Sequence, residues 1–183
     1  PNTDTYNELL GVCDNLAAPP LAGDEILKEM KELGLPINIT SYNRLISACA
    51  HQRNLEKAKQ WFSQLKEENL SPNLETYGNL ITVAGLSNNF EQILEFVQEI
   101  QANPNLQMDS KIYTTLIEGC LRCLKPDEAM KFYDELREND LVPTQKTFSM
   151  IIGFCGKNHL LDYAERLIQE MSDLGITPTR EVE

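Results

Sequence analysis

Apolar positions along the chain recur with a helical rhythm. Tyr42, Leu45, Ile46 and Cys49 fall at i, i+3, i+4 and i+7, one face of a helix. His51-Gln52-Arg53-Asn54 interrupts the stripe, and Asn54 is a residue type that caps a helix start. A second stripe follows in Leu55, Ala58, Trp61, Phe62 and Leu65. Asn69 stands where a left-handed residue ends a helix, and Pro72 prevents continuation. Gly34, Asp140 and Gly175 hold the matching place elsewhere, and Pro126 sits where a second helix starts, so its missing N–H costs little. No apolar–polar alternation of period two persists, so the predicted fold class is all-α.

The helix pairs repeat. Tyr6, Tyr42, Tyr77, Tyr113 and Phe148 are spaced 36, 35, 36 and 35 residues apart. Met30, Leu65, Ile100, Leu136 and Met171 keep the same beat at 35, 35, 36 and 35. Ala58, Ile93, Ala129 and Ala164 form a third column. Pro72, Pro143 and Pro178 form a fourth, with Pro36 one residue early and Met108 where a proline is missing. These columns define five units, about residues 3–38, 39–73, 74–109, 110–144 and 145–179, with 180–183 as the start of a next unit. One hairpin of about 35 residues cannot bury both of its stripes, whereas a stack can, and about three units suffice. The expected architecture is a single right-handed α-solenoid spanning 1–183, with a concave and a convex side, cut from a longer array.

Thr40-Ser41-Tyr42-Asn43-Arg44-Leu45-Ile46, Thr76-Tyr77-Gly78-Asn79-Leu80-Ile81 and Lys111-Ile112-Tyr113-Thr114-Thr115-Leu116-Ile117 resemble the first helix of a pentatricopeptide repeat. Leu55-Glu56-Lys57-Ala58 and Asp127-Glu128-Ala129 resemble the start of its second helix, and Leu174-Gly175-Ile176-Thr177-Pro178-Thr179 its closing turn. The related tetratricopeptide repeat has a period of about 34 and places small residues where helices cross. Here the crossing positions are bulky: Leu10, Ile46, Ile81, Ile117 and Ile152 on one side, and the Met30 column on the other.

The resemblance implies binding of single-stranded RNA in an organelle, mitochondrion or chloroplast, at about one base per repeat, in RNA processing, stability or translation. In such repeats two or three side chains face each base edge. By resemblance the reading pair is the residue after the aromatic and the residue after the closing proline. That gives Asn7 with Asn38, Asn43 with Asn73, Gly78 with Asp109, Thr114 with Thr144, and Ser149 with Thr179. The two Asn–Asn pairs resemble the pyrimidine-reading combination, leaning to cytosine. Thr114 and Ser149 lean to purine, and Gly78 has no side chain to read with. Asn38 and Asn73 also suit simple capping of the next helix. The family's phosphate-facing position falls on His51, Arg122 and Lys157, with Asn15 and Leu86 in the other units. For these cations the alternative is a solvated helix end, where positive charge is favoured in any case. The family's apolar wedge between bases is replaced by Asp4, Thr40, Glu75, Lys111 and Lys146, so stacking is expected to suffer.

Charge complicates this picture. The 183 residues carry 16 Lys and Arg against 28 Asp and Glu, a net −12 that argues against a general polyanion binder. It does not exclude RNA, because the local field on the binding face decides and screening acts over about 8 Å. No Lys or Arg occurs between Lys66 and Lys111. Glu91, Glu95 and Glu99, at i, i+4 and i+8, make one acidic face in the third unit, readable as a solvated face or as a docking face for a basic protein partner. That unit also carries an extra residue near Asn103-Pro104-Asn105 and departs most from an RNA-reading unit.

No apolar run approaches the roughly 18 residues of a membrane span. Cys120-x-x-Cys123 lacks the second ligand pair that zinc requires. Cys13, Cys49, Cys120 and Cys155 share one phase, seven residues after the aromatic, and read as core thiols. His51 and His159 lie in different units. Trp61 falls on a packed stripe. No metal, cofactor or catalytic constellation is expected. Two alternatives to RNA binding stay open at this point: a protein-interaction scaffold within an organellar assembly, and the RNA-recruiting arm of an enzyme whose catalytic domain lies outside the chain.

Overall fold

The structure is a computed structural model that describes residues 2–15 and 20–176, the side chains of 11–15 and 20–22 apart. The described residues form ten α-helices and no strand. They pair in order: α1 (Thr3–Asn15) with α2 (Pro20–Glu32), α3 (Ile39–His51) with α4 (Leu55–Glu67), and α5 (Leu74–Leu86) with α6 (Phe90–Ala102). Then come α7 (Ser110–Arg122) with α8 (Pro126–Glu138) and α9 (Gln145–Lys157) with α10 (Leu161–Asp173). The chain divides into two compact units, Pro1–Gln107 and Met108–Glu183.

In the first unit, the first helices of successive hairpins pack side by side, α1 on α3 and α3 on α5, while α2 and α4 fill in against α3 and α5. In the second unit α7 packs on both α8 and α9, and α9 on α10. The repeat columns are the core. Tyr42, Leu65, Ile81, Ile100, Ile117 and Leu136 are fully buried, each contributing roughly 1.5–3 kcal/mol of apolar transfer. Trp61 is buried among them, with the Lys57 ammonium 4.3 Å from its ring centroid. The bulky side chains of both crossing columns are buried, and so is the Ala58, Ile93 and Ala129 column on the second helices.

Turn chemistry explains the punctuation. Gly34, Asn69, Asp140 and Gly175 all adopt positive φ, between 57° and 68°, and end the second helices. The same device ends the first helices at Arg53, Asn88, Leu124 and His159, with φ between 51° and 58°, and is not legible in the residue type at Arg53, Leu124 and His159. At these turns the following N–H reaches five residues back, as Asn54 N–H does to the Cys49 carbonyl (3.0 Å) and Leu70 N–H to the Leu65 carbonyl (3.1 Å). The third hairpin departs: α6 ends at Asn103 in extended backbone (φ −100°, ψ 107°), and a turn closed by Leu106 N–H on the Asn103 carbonyl takes up the extra residue.

Candidate nucleic-acid interface

The residues assigned from the repeat columns sit at the N-terminal ends and along one side of the first helices, where Asn43 and Thr114 are buried. Asn38, Asn73, Asp109 and Thr144 are the N-caps of α3, α5, α7 and α9. Each side-chain oxygen accepts from a backbone N–H three residues on: Asn38 from Ser41 (3.1 Å), Asn73 from Thr76 (2.9 Å), Asp109 from Ile112 (2.8 Å) and Thr144 from Thr147 (3.2 Å). Capping is therefore real at both asparagines. It occupies only the amide oxygen, so among the described residues Asn38 and Asn73 keep their Nδ2 donors unengaged.

The two members of a reading pair come together. Asn43, only 2% exposed, donates from Nδ2 to Asn73 Oδ1 at 3.4 Å. A third residue joins them: the Thr76 hydroxyl donates to Asn43 Oδ1 at 2.7 Å. The first pair repeats the arrangement, with Ser41 Oγ donating to Asn7 Oδ1 at 2.6 Å and lying 3.2 Å from Asn38 Oδ1. In the second unit Thr147 Oγ1 lies 2.9 Å from Thr114 Oγ1 and 3.0 Å from Thr144 Oγ1. Thr114 spends its own proton on the Ser110 carbonyl (2.7 Å), so Thr147 is the donor between them. Ser41, Thr76 and Thr147 are each fully buried. They were missed from sequence, although the signal was present: a hydroxyl column one residue before the aromatic, broken only by Ile112.

The phosphate-position residues differ in circumstance. Arg122 is held by Glu118 at 2.9 Å, and the same carboxylate takes Lys146 at 3.0 Å. Burial alone would push the Glu118 carboxyl up, but the hydrogen bonds from Arg122 and Lys146 outweigh it and hold the group below the ordinary carboxylate range. Glu118 was not singled out from sequence; its signal is the four-residue spacing to Arg122. Lys157 is exposed and makes no ion pair among the described residues. His51 ends α3. Thr179 lies outside the described residues. A groove of roughly 690 Å³ runs between α7 and α9, and Glu118, Arg122, Ser149, Met150, Phe154 and Lys157 line it. The wedge residues Asp4, Thr40, Glu75, Lys111 and Lys146 are all exposed, as a position facing a ligand requires.

The acidic face of α6 is partly spent on internal contacts. Glu99 pairs with Lys66 (2.9 Å) and accepts from the Tyr77 hydroxyl (3.1 Å), and Glu95 accepts from Gln92 Nε2. Cys49, Cys120, Cys123 and Cys155 are buried thiols that form no disulfide among the described residues, whereas the side chain of Cys13 lies outside the described residues. Burial raises the Cys120 thiol to about 12, with nearby Cys123 and Glu128 adding to it. Among the described residues no group of three or more His, Cys, Asp or Glu could hold a metal ion, and no helix is long and apolar enough to cross a membrane.

A pentatricopeptide repeat domain model matches residues 25–87, a PPR repeat family model matches 108–157, and a PPR repeat model matches 146–176. The chain belongs to the pentatricopeptide repeat family. Two Arabidopsis thaliana relatives are mitochondrial pentatricopeptide repeat-containing proteins. One is 30% identical over 177 residues, covering 96% of this chain and 21% of the relative. The other is 26% identical over 151 residues, covering 82% of this chain and 28% of the relative. The chain thus spans less than a third of the curated relatives it matches. Among solved structures it is similar to the pentatricopeptide repeat domain of Arabidopsis thaliana protein-only RNase P 1 in complex with tRNA. That match has 18% identity and a TM-score of 0.73, covering 96% of this chain and 91% of that one. It is also similar to maize PPR10 in complex with an 18-nt psaJ RNA element, with 18% identity and a TM-score of 0.63, covering 100% of this chain and 37% of that one. These likenesses show the fold, an all-α helical repeat solenoid.

Proposed function

We propose that this pentatricopeptide repeat segment binds single-stranded RNA in mitochondria, in RNA processing, stability or translation, with Asn7, Asn38, Asn43, Asn73, Thr114, Thr144 and Ser149 facing bases and Lys157 and Arg122 facing phosphates. The observation that carries this reading is the α7–α9 groove, where Ser149, from the base-reading column, shares one open face with Arg122 and Lys157, from the phosphate column. The solved relatives that this chain resembles include repeat proteins bound to RNA, and the curated relatives are mitochondrial. Asp109 contributes a carboxylate oxygen beyond the one that caps α7, the acceptor type that pairs with base amino groups. His51 and Thr179, the latter outside the described residues, extend the same columns by their place in the sequence. Base identity comes from edge hydrogen bonds, and affinity from the few phosphate contacts that a −12 chain can make.

Fluorescence anisotropy with a degenerate single-stranded RNA pool, at about 50 and about 200 mM salt, tests the reading. Saturable binding that weakens with salt at roughly −0.7 per phosphate contact supports it. No binding to the pool at the lower salt, by a chain that is helical and folded, refutes it.

A further inference from the structure

We infer that the hydroxyl one residue before the aromatic (Ser41, Thr76 and Thr147) is a positioning residue that fixes which hydrogen-bonding groups each reading pair presents to RNA; this rests on the proposed RNA-binding function. The Asn43–Asn73 pair shows why. A carboxamide side chain offers one acceptor oxygen and one donor nitrogen, and rotation of the terminal torsion exchanges them. Thr76 removes that freedom. Its backbone N–H binds Asn73 Oδ1 at 2.9 Å, and its hydroxyl donates to Asn43 Oδ1 at 2.7 Å. With that oxygen held, Asn43 turns Nδ2 to Asn73 Oδ1 at 3.4 Å.

The donors and acceptors then balance in one way. Asn73 Oδ1 receives the Thr76 amide and the Asn43 Nδ2, and the Thr76 hydroxyl, 2.7 Å from Asn43 Oδ1 and 2.9 Å from Asn73 Oδ1, gives its one proton to the nearer oxygen, that of Asn43. What is left for a ligand is N–H, the two hydrogens on the half-buried Asn73, because Asn43 is only 2% exposed and serves to hold the Asn73 oxygen. A pair that presents only donors suits a base edge with two adjacent acceptors. Cytosine supplies these in N3 and O2, whereas uracil sets an N3–H donor between its carbonyls. Ser41 does the same for Asn7, whose Oδ1 it engages at 2.6 Å. At Thr147 the partners are hydroxyls, so the pair there keeps acceptor capacity on Thr114, a different offer made by the same device.

The experiment compares the chain with its Thr76→Val and Thr76→Ser variants, using single-stranded RNAs that carry each of the four bases at the position whose preference Asn43→Ser alters. Thr76→Val keeps the shape and removes the hydroxyl. The expected result is a fall of about fivefold in preference for cytosine over uracil at that position, the size of one hydrogen bond, with the other positions unchanged and Thr76→Ser restoring it. An unchanged preference in Thr76→Val, or a loss that Thr76→Ser does not restore, overturns the inference while RNA binding stands. A chain that binds no RNA overturns both. The Asn43 side-chain NH2 resonances give an RNA-free readout: the hydrogen bonds that hold the amide set their chemical shifts and slow their exchange with water, and Thr76→Val should shift both signals and speed that exchange. Unaltered signals would overturn the inference. Ser41→Ala, read on Asn7, supplies the same test at the neighbouring junction should Thr76→Val not fold.

Discussion

Arg122 Nη2 lies 2.9 Å from Glu118 Oε1, one turn back on α7, so the cation assigned to phosphate is already held by a carboxylate. Lys146 shares that carboxylate at 3.0 Å. Both cations are about half exposed or more, so the pairs add little to stability and the main effect of Glu118 is on the field of the groove. Glu118→Gln is expected to tighten RNA binding about threefold to tenfold at low salt, and to steepen the salt dependence by about 0.7 for each cation released. Because the Glu118 carboxyl is held below its ordinary range, the stability it gives is present above the ordinary value and is lost only as pH falls through the lowered one. Its clamp on Arg122 is therefore constant from about pH 6 to about pH 8, and affinity in that window should owe no pH dependence to it.

Asn73 combines a cap and a base contact that substitutions can separate. Asn73→Ser retains an oxygen for the Thr76 N–H but loses the amide donors, whereas Asn73→Ala loses both. Asn73→Ala should cost about 1 kcal/mol of stability and Asn73→Ser only a few tenths. If Asn73 faces a base, the two variants should alter preference alike despite their different stabilities. Urea denaturation followed by circular dichroism, paired with selection from an RNA pool, checks both halves. A Ser variant with wild-type preference would leave Asn73 as a cap and nothing more.

How far such features can be read in advance depends on whether residue type alone decides them. The aromatic, Met30 and Ala58 columns were legible because burial at a helical period leaves a mark in every unit. The left-handed turns at Gly34, Asn69 and Asp140 were legible because glycine, asparagine and aspartate tolerate positive φ. The equivalent turns at Arg53, Leu124 and His159 were not, since packing on either side imposes a conformation their side chains do not announce. The capping of α5 by Asn73 was anticipated, and its hydrogen bond with Asn43 came from the resemblance only as a pairing of positions. The Thr76 bridge escaped notice because threonine before an aromatic also reads as ordinary helix-start chemistry. Glu118 escaped because its four-residue spacing to Arg122 reads as an ordinary pair on one helix, and nothing in the sequence brings Lys146 from the next first helix onto the same carboxylate.

The buried thiols predict how the chain answers alkali. Burial holds the Cys120 thiol up at about 12 against an ordinary 9.0, and Cys123 and Cys155 are raised for the same cause. The folded chain keeps these protons at a pH where the unfolded chain has lost them. Their contribution is therefore intact below about pH 9 and is lost progressively as pH rises toward about 12. Tyr42, Tyr77 and Tyr133, raised chiefly by burial, push in the same direction. The urea midpoint should be flat from about pH 7 to about pH 8.5 and fall steadily above about pH 9. At about pH 8, iodoacetamide should label Cys49, Cys120, Cys123 and Cys155 only at the rate of unfolding, which mass spectrometry of a time course measures. Rapid native labelling of Cys120 would contradict its placement in the core.

Leu124 carries the most avoidable strain in the described fold. It ends α7 at φ 56°, with its own N–H on the Leu121 carbonyl (3.1 Å) and the Lys125 N–H on the Cys120 carbonyl (2.9 Å). That conformation sets a Cβ against the following carbonyl, at roughly 1–2 kcal/mol for an ordinary residue. The side chain gains nothing in exchange, since it is 70% exposed. The matching turn after α5 uses Asn88 at φ 55°, a residue that tolerates the left-handed region by hydrogen bonding locally. Leu124→Asn is therefore expected to stabilise the second compact unit by about 0.5–1 kcal/mol. Leu124→Gly should gain less, because glycine also widens the unfolded ensemble. Leu124→Val should lose stability, as a β-branched residue fits positive φ worst. Four urea transitions ordered Asn, Gly, Leu and then Val would establish that the backbone at this turn, and not leucine packing, sets the local stability. Leu124→Asn falling below wild type would mean that the exposed leucine makes a contact worth more than the strain.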